Sequence, residues 1–304
     1  MDVYLPIANL SVDGLLIVAL GALTGILSGM FGVGGGFLTT PLLIFYGVPP
    51  TVAAASAASQ VTGASVSGVF AYVKRGGVDF QMGSVMVAGG FIGTLFGAAL
   101  FRLLQSLGQI DTVINVLYVV MLGSIGFLMA REGIMALRAE QSGKPIPARK
   151  RRHHPLVASL PYRWRFYRSG LYISPLAPLL IGVMVGILTM LMGIGGGFVL
   201  VPMMLYVLGM SANVVVGTSL FQILFVTMAT TLMHSMTTKA VDILLAGLLL
   251  FGSVTGAQLG SKFAQRSSPV HLRLALASLV ILVALRMAWG LGVRPEEIYT
   301  VAPL

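Results

Sequence analysis

Two glycine triplets, Gly34-Gly35-Gly36 and Gly195-Gly196-Gly197, are the residues of this sequence whose type and spacing could do chemistry. Each closes a longer phrase: residues 25–37 are answered 161 residues later by residues 186–198, and Pro41 and Pro202 follow the two copies. Consecutive glycines keep side chains away from the main chain and admit positive φ. A chain that stops being helical there must find other partners for its N–H and C=O groups. Where helix resumes, near Phe37 and Phe198, the first-turn N–H groups and the helix dipole favour an anion. The main chain itself is thus the candidate ligand. Ser28, Thr39 and Thr189 stand close enough in sequence to add hydroxyls, and Gln60 and Gln222 offer amide donors from the next apolar segment. The candidate substrate-binding set is therefore Ser28, Gly34, Gly35, Gly36, Thr39, Gln60, Thr189, Gly195, Gly196, Gly197 and Gln222.

Other chemistries fail on the residues available. In Gly32-Val33-Gly34-Gly35-Gly36-Phe37 a phenylalanine stands where a dinucleotide fingerprint needs its third glycine, and no Lys-Ser or Lys-Thr completes a phosphate loop. Neither NAD nor ATP is implied, and no cofactor is expected. The chain has no cysteine, which excludes disulfides and thiolate metal sites. His153-His154 has no further ligands nearby, so no metal site is expected either. His234 and Lys239 read as interfacial residues at a span end. An enzyme is not expected, because clustered His, Asp, Glu or Cys at membrane depth is missing. No Asp, Glu, Lys, Arg or His falls near the middle of any apolar span, which suits a small oxyanion held by neutral donors.

The elements that must position these residues are membrane helices. With 57% hydrophobic residues, 9% charged, 38 glycines and a mean hydropathy of +0.94, the chain lacks the charged surface of a soluble fold. Apolar spans are expected near residues 14–31, 50–72, 82–104, 112–130, 173–192, 211–233, 241–262 and 270–291. The short continuations 37–48 and 198–209 cover only about half a membrane and read as half-helices. The first segment has no basic n-region and is read as structural rather than as a signal peptide. The expected fold is all-α and polytopic, with about eight transmembrane helices plus two Gly-broken, re-entrant segments.

The repeat runs past the glycine phrase. With a one-residue gap, Ser56 meets Thr218 and Gln60 meets Gln222; Val78-Asp79 then matches Val241-Asp242, and Gly89, Gly93 and Gly97 match Gly252, Gly256 and Gly260. The last set clears one helix face for close packing. Four parts follow: a first membrane repeat at 12–130, a basic cytoplasmic connection at 131–172, a second repeat at 173–291 and a short tail at 292–304. The stretch from Arg131 to Arg168 holds ten of the nineteen Lys and Arg, among them Arg149-Lys150-Arg151-Arg152, against Glu132 and Glu140 alone. This places it in the cytoplasm against anionic head groups, and no stacking platform suggests nucleic acid. Charge does not decide the second half. If residues 173–209 dip in and return, Lys262, Arg266 and Arg273 lie inside; if they cross once, Lys239, Arg286 and Arg294 do. Inversion is the expected arrangement, because inverted halves give a carrier two equivalent conformations, and it puts both termini outside.

The duplicated Gly-x-Gly-Gly-Gly-Phe-x-x-x-Pro pattern, each copy followed by a Ser/Thr-bearing helix with a glutamine, resembles the TauE/SafE family of bacterial permeases over about residues 14–291. The resemblance implies a multi-pass protein of the bacterial inner membrane that exports sulfite, sulfoacetate or related sulfur-containing anions. It also implies the binding role for Gly34, Gly35, Gly36 and Gln60, and for Gly195, Gly196, Gly197 and Gln222. The chain departs from the pattern in its long basic connection and in Phe221, which stands where the first copy has Ser59. The expected function is secondary transport of a small anion, sulfite or an organosulfonate, by alternating access. An anion channel using the same backbone sites is the alternative.

Overall fold

A computed structural model describes residues 2–31, 36–141, 161–266 and 269–292. Among them are ten α-helices: α1 (Gly14–Phe31), α2 (Gly36–Phe45), α3 (Pro50–Lys74), α4 (Phe80–Ser106), α5 (Ile110–Gln141), α6 (Leu176–Met192), α7 (Gly197–Tyr206), α8 (Ala212–Met233), α9 (Ile243–Arg266) and α10 (Pro269–Gly292). A π-helical turn, His234–Thr238, extends α8. Parts of α4, α5, α8, α9 and α10 are long and apolar enough to cross a membrane, and α1, α2, α6 and α7 are shorter apolar helices. Helix α3 has 25 residues but is rich in Ala, Ser, Thr and Gly, because it runs against protein rather than lipid.

Two antiparallel hairpins lie outside the all-α expectation. Strands β1 (Asp2–Leu5) and β2 (Leu10–Asp13) form one, and β3 (Trp164–Phe166) and β4 (Leu171–Ile173) the other. Each turn has a residue in the left-handed region next to its second strand, Asn9 with φ 54° and Gly170 with φ 65°. The second hairpin falls inside the stretch expected to be a basic connection, and α5 runs on to Gln141 beyond the expected span end at 130. Of that connection, residues 142–160 lie outside the described residues, as do residues 293–304 of the tail.

The start of α1 and the end of α2 lie close together. The Tyr46 hydroxyl, just past α2, accepts from the Asp13 amide at the start of α1 (3.3 Å). A cluster of Leu5, Val12 and Ile17 with Leu43, Val48, Val52 and Leu245 fills the space between them. In the second half, Phe166, Ile173 and Ile181 pack in the same way with Met204, Leu208, Val214, Met82 and Met86. Apolar burial of this kind is what fixes each short helix against its longer partner.

Pairing directions follow from the glycines. On α9, β-carbons at Gly252, Gly256 and Gly260 would overlap the carbonyls of Val18, Ala22 and Ile26, so α1 and α9 run parallel with backbones in contact. On α4, Gly89 and Gly93 meet Leu179 and Val183 of α6 in the same sense. Small residues permit this approach where lipid gives no hydrophobic drive. The central pair is antiparallel instead: Ser59 of α3 bonds Thr231 of α8, Thr62 bonds Thr227, and Gly68 faces Leu220. Helices α5 and α10 are also antiparallel, with Gly126 against Ile281 and Gly133 against Leu274.

Candidate functional site

The second glycine phrase breaks the main chain. Helix α6 ends at Met192, and Gly193 turns left-handed (φ 70°) while its amide still bonds Thr189 O at 2.8 Å. Gly195 and Gly196 are also left-handed, with φ 74° and 73°. Helix resumes as α7 when the amides of Val199 and Leu200 reach Gly196 O, at 3.0 and 2.8 Å. Only glycine takes three such residues out of four without strain. Space excludes a side chain as well. A β-carbon on Gly193 would overlap Ala54 O of α3, one on Gly196 would overlap Val185, and one on Gly195 would press on Val61, Ile223 and Thr227. The whole turn from Gly193 to Gly197 is buried.

Of the first phrase, Gly34 and Gly35 lie outside the described residues, and Gly36 opens α2. A β-carbon on Gly36 would sit 3.0 Å from Ile194 O and 3.2 Å from Gly193 O. The start of α2 is therefore packed on the break between α6 and α7. Next to it, the rings of Phe37 and Phe198 stack 4.4 Å apart and 5° from parallel. Two helix N-termini, each with first-turn N–H groups that no residue of its own helix can accept from, begin side by side at depth.

The carbonyl end of α6 is held by side chains. Met192 O accepts from the Tyr118 hydroxyl of α5 (2.6 Å) and from Thr40 of α2 (3.3 Å). His234 Nε2 lies 2.9 Å from Met190 O and its Nδ1 lies 3.1 Å from the Thr238 hydroxyl, with the ring edge-on to Phe101. His234, near the end of the candidate span Val214–Thr238, is fully buried within the protein. A carbonyl can only accept, so Nε2 carries the proton of this contact. Tyr118 and Thr40 were absent from the candidate set, and their only trace in the sequence is a hydroxyl within an apolar helix.

The expected side-chain donors divide. The Thr189 hydroxyl bonds Val185 O at 2.7 Å and lies at the Gly196 turn, 3.2 Å from where a β-carbon there would stand. Ser28 is half-buried on α1, and Thr39 is buried on α2. Gln60 reaches Thr24 of α1 at 3.5 Å and leaves its Oε1 without a partner. Gln222 is fully buried with neither amide atom partnered, and its Nε2 stands beside Gly90 of α4. The two glutamines thus face opposite flanks of the α3–α8 pair, and it is their neighbours Val61 and Ile223 that touch the glycine turn. Hydroxyls of Ser59, Thr62, Thr227 and Thr231 line the seam between these helices, and those of Ser65 and Thr230 have no partner.

Two buried carboxylates join the halves away from the break. Asp79 Oδ1 caps α4 at the Met82 amide (3.0 Å), its Oδ2 accepts from the amide (2.9 Å) and hydroxyl of Ser169, and its own amide donates to Thr218 (2.9 Å). Asp242 does the same for α9 at Leu244 and Leu245 (3.1 Å each), accepts from the Ile7 amide (3.2 Å) and donates to Ser56 (3.1 Å). Each aspartate therefore ties a hairpin turn, a helix start and one central helix together. Among the described residues, no group of three or more His, Cys, Asp or Glu could hold a metal ion.

The profile of the sulfite exporter TauE/SafE family matches residues 17–287. Probable membrane transporter protein YjnA of Bacillus subtilis is 27% identical over 271 residues, which cover 89% of this chain and 98% of the relative. A probable membrane transporter protein of Xylella fastidiosa is 28% identical over 280 residues, 90% of this chain and 95% of its own length. Sulfite exporter TauE/SafE family protein 2 of Arabidopsis thaliana is 30% identical over 104 residues, 34% of this chain and 23% of that protein. No solved structure gives a significant match.

Proposed function

The chain belongs to the sulfite exporter TauE/SafE family of multi-pass membrane transporters, and on that premise we propose that it carries a small anion, sulfite or an organosulfonate, by alternating access around the two glycine breaks. The observation that carries this reading is the convergence of the starts of α2 and α7. There Gly36 packs on the carbonyls of Gly193 and Ile194, and two positive helix ends meet without a charged side chain. Gly195, Gly196, Gly197 and Thr189 with Gly36, and Gly34 and Gly35 preceding it, form the proposed binding surface. Gln60 and Gln222 would approach the anion from either flank, with Ser28 and Thr39 as further hydroxyls.

An inverted arrangement of the two halves belongs to the same proposal. The antiparallel course of α3 with α8 and of α5 with α10, and the matched latches of Asp79 and Asp242, are what two copies related by an axis in the membrane plane would give. With the basic connection inside, Lys262 and Arg266 fall on the same side as Lys74 and Arg75, and both termini fall outside. The connection then lies against anionic head groups. The test is counterflow of labelled sulfite and organosulfonates into proteoliposomes. Saturable flux that is stimulated from the opposite side supports a carrier; single-channel currents would replace it with the channel reading.

A further inference from the structure

Resting on the proposed anion site, we infer that the bound anion is accompanied by a proton held on His234, which supplies the positive charge that the site otherwise lacks. The first sign is a one-residue insertion. Gln60 and Gln222 correspond at an offset of 162 residues but Asp79 and Asp242 at 163, so the second half holds one extra residue between them. The π-helical turn His234–Thr238 lies in that interval, closed by the Lys239 amide on His234 O at 2.9 Å. A π turn holds one residue more than an α turn, and such turns occur frequently at functional sites. On the first offset, Tyr72 stands where the second half has His234. The imidazole therefore belongs to one half only.

Both ring nitrogens of His234 have partners that suit an added proton. Met190 O accepts from Nε2–H at 2.9 Å and cannot donate. The Thr238 hydroxyl lies 3.1 Å from Nδ1 and 2.9 Å from His234 O, and its single hydrogen can go to either. Pointed at Nδ1, it serves the neutral ring. Pointed at His234 O, it leaves its oxygen to accept from Nδ1–H, and the imidazolium then has both hydrogens bonded with no heavy atom displaced. His234 is fully buried, whereas Thr238 is only half-buried and precedes exposed Lys239, so the hydroxyl also relays a proton from solution to Nδ1.

The ring sits at the carbonyl end of α6, where the helix dipole favours a cation. Met190 follows Thr189, whose hydroxyl lies against the Gly196 turn, so the proton and the proposed anion occupy the two sides of one helix break. Their coupling is electrostatic and acts through packed protein, with no opening required between them. A charge buried alone at either position costs desolvation, and each charge offsets that cost for the other. By linkage, anion affinity rises when His234 is protonated. The other titratable or charged groups on the elements packed here are Arg102, exposed on α4 next to Phe101, Tyr118 of α5, bonded to Met192 O, and Lys239 and Asp242, which follow α8. Helix α6 has none.

The test is counterflow of labelled methanesulfonate, whose charge does not titrate, and of labelled sulfite into proteoliposomes with equal pH on both faces, for the full chain and for His234→Gln, Thr238→Val and Thr238→Ser. Glutamine keeps an N–H donor for Met190 O but takes up no proton. Titration of the substrate and of the other groups is shared by all four proteins, so the ratio of half-saturation concentrations isolates His234. From about pH 8 to about pH 5, the half-saturation concentration of the unaltered protein is expected to fall roughly tenfold relative to that of His234→Gln. Thr238→Val should lose most of this change, and Thr238→Ser should keep it. A ratio that does not move with pH would overturn the inference, as would a Thr238→Val profile equal to that of the unaltered protein should His234→Gln fail to fold. Absence of counterflow of both anions in the unaltered protein would instead remove the proposed function, and the inference with it.

Discussion

Gln222 carries the sharpest disagreement between a structural and a functional role for a single residue. A buried amide with neither atom partnered destabilises the fold, and an apolar side chain of similar size relieves that cost. Gln222→Leu should therefore leave stability unchanged or raise it by about 1 kcal/mol, while substrate flux falls severalfold. Thermal unfolding in detergent and counterflow, measured on the same preparation, separate the two effects. A stability loss with undiminished flux would make Gln222 helix glue. The glutamines and glycine triplets stood out in the sequence because they recur in the same order in both halves, once a one-residue gap is allowed. Tyr118, Thr40 and His234 were not, since each acts on a main-chain carbonyl brought to it by another helix, and no local pattern records such a partner.

At the scale of elements, close backbone contact ties α1 to α9 and α4 to α6, and this contact depends on glycines on one helix face. A β-carbon on Gly256 would overlap Ala22 O, whereas one on Gly123 of α5 would meet nothing within 4 Å. Gly256→Ala should accordingly cost about 1–3 kcal/mol through forced separation of the helices, and Gly123→Ala should gain up to about 1 kcal/mol from helix propensity. Chemical or thermal unfolding of the purified variants checks both signs. The four-residue spacing of these glycines made the packing face readable in advance. The two hairpins were not readable: strands of three or four residues show too few alternations to stand out from an apolar background. Val78-Asp79 and Val241-Asp242 were visible as a matched pair, but their role as latches needs the hairpin turns that only the fold supplies.

At the scale of the whole molecule, the question the charges left open was whether the glycine segments cross or return. Contacts between Asp13 and Tyr46 and the clusters around Ile17 and Ile181 bring the two ends of each segment together, which favours the proposed return. On that geometry the two hairpins sit at opposite ends of α3. The absence of cysteine makes the point testable with single introduced thiols. Tyr4→Cys and Tyr167→Cys, both at exposed positions, should label with an impermeant maleimide from opposite faces of oriented vesicles, Tyr4→Cys from outside and Tyr167→Cys from the cytoplasmic side. Labelling of both from one face would contradict inverted halves. The central claim, that the paired breaks are the place where the anion binds, is tested most directly by Gly196→Val. Valine cannot hold the left-handed turn at φ 73° or avoid the Val185 side chain. Sulfite counterflow should be abolished in this variant while membrane insertion and the labelling pattern of Tyr4→Cys persist; flux equal to that of the unaltered protein would show that the glycine breaks serve packing alone.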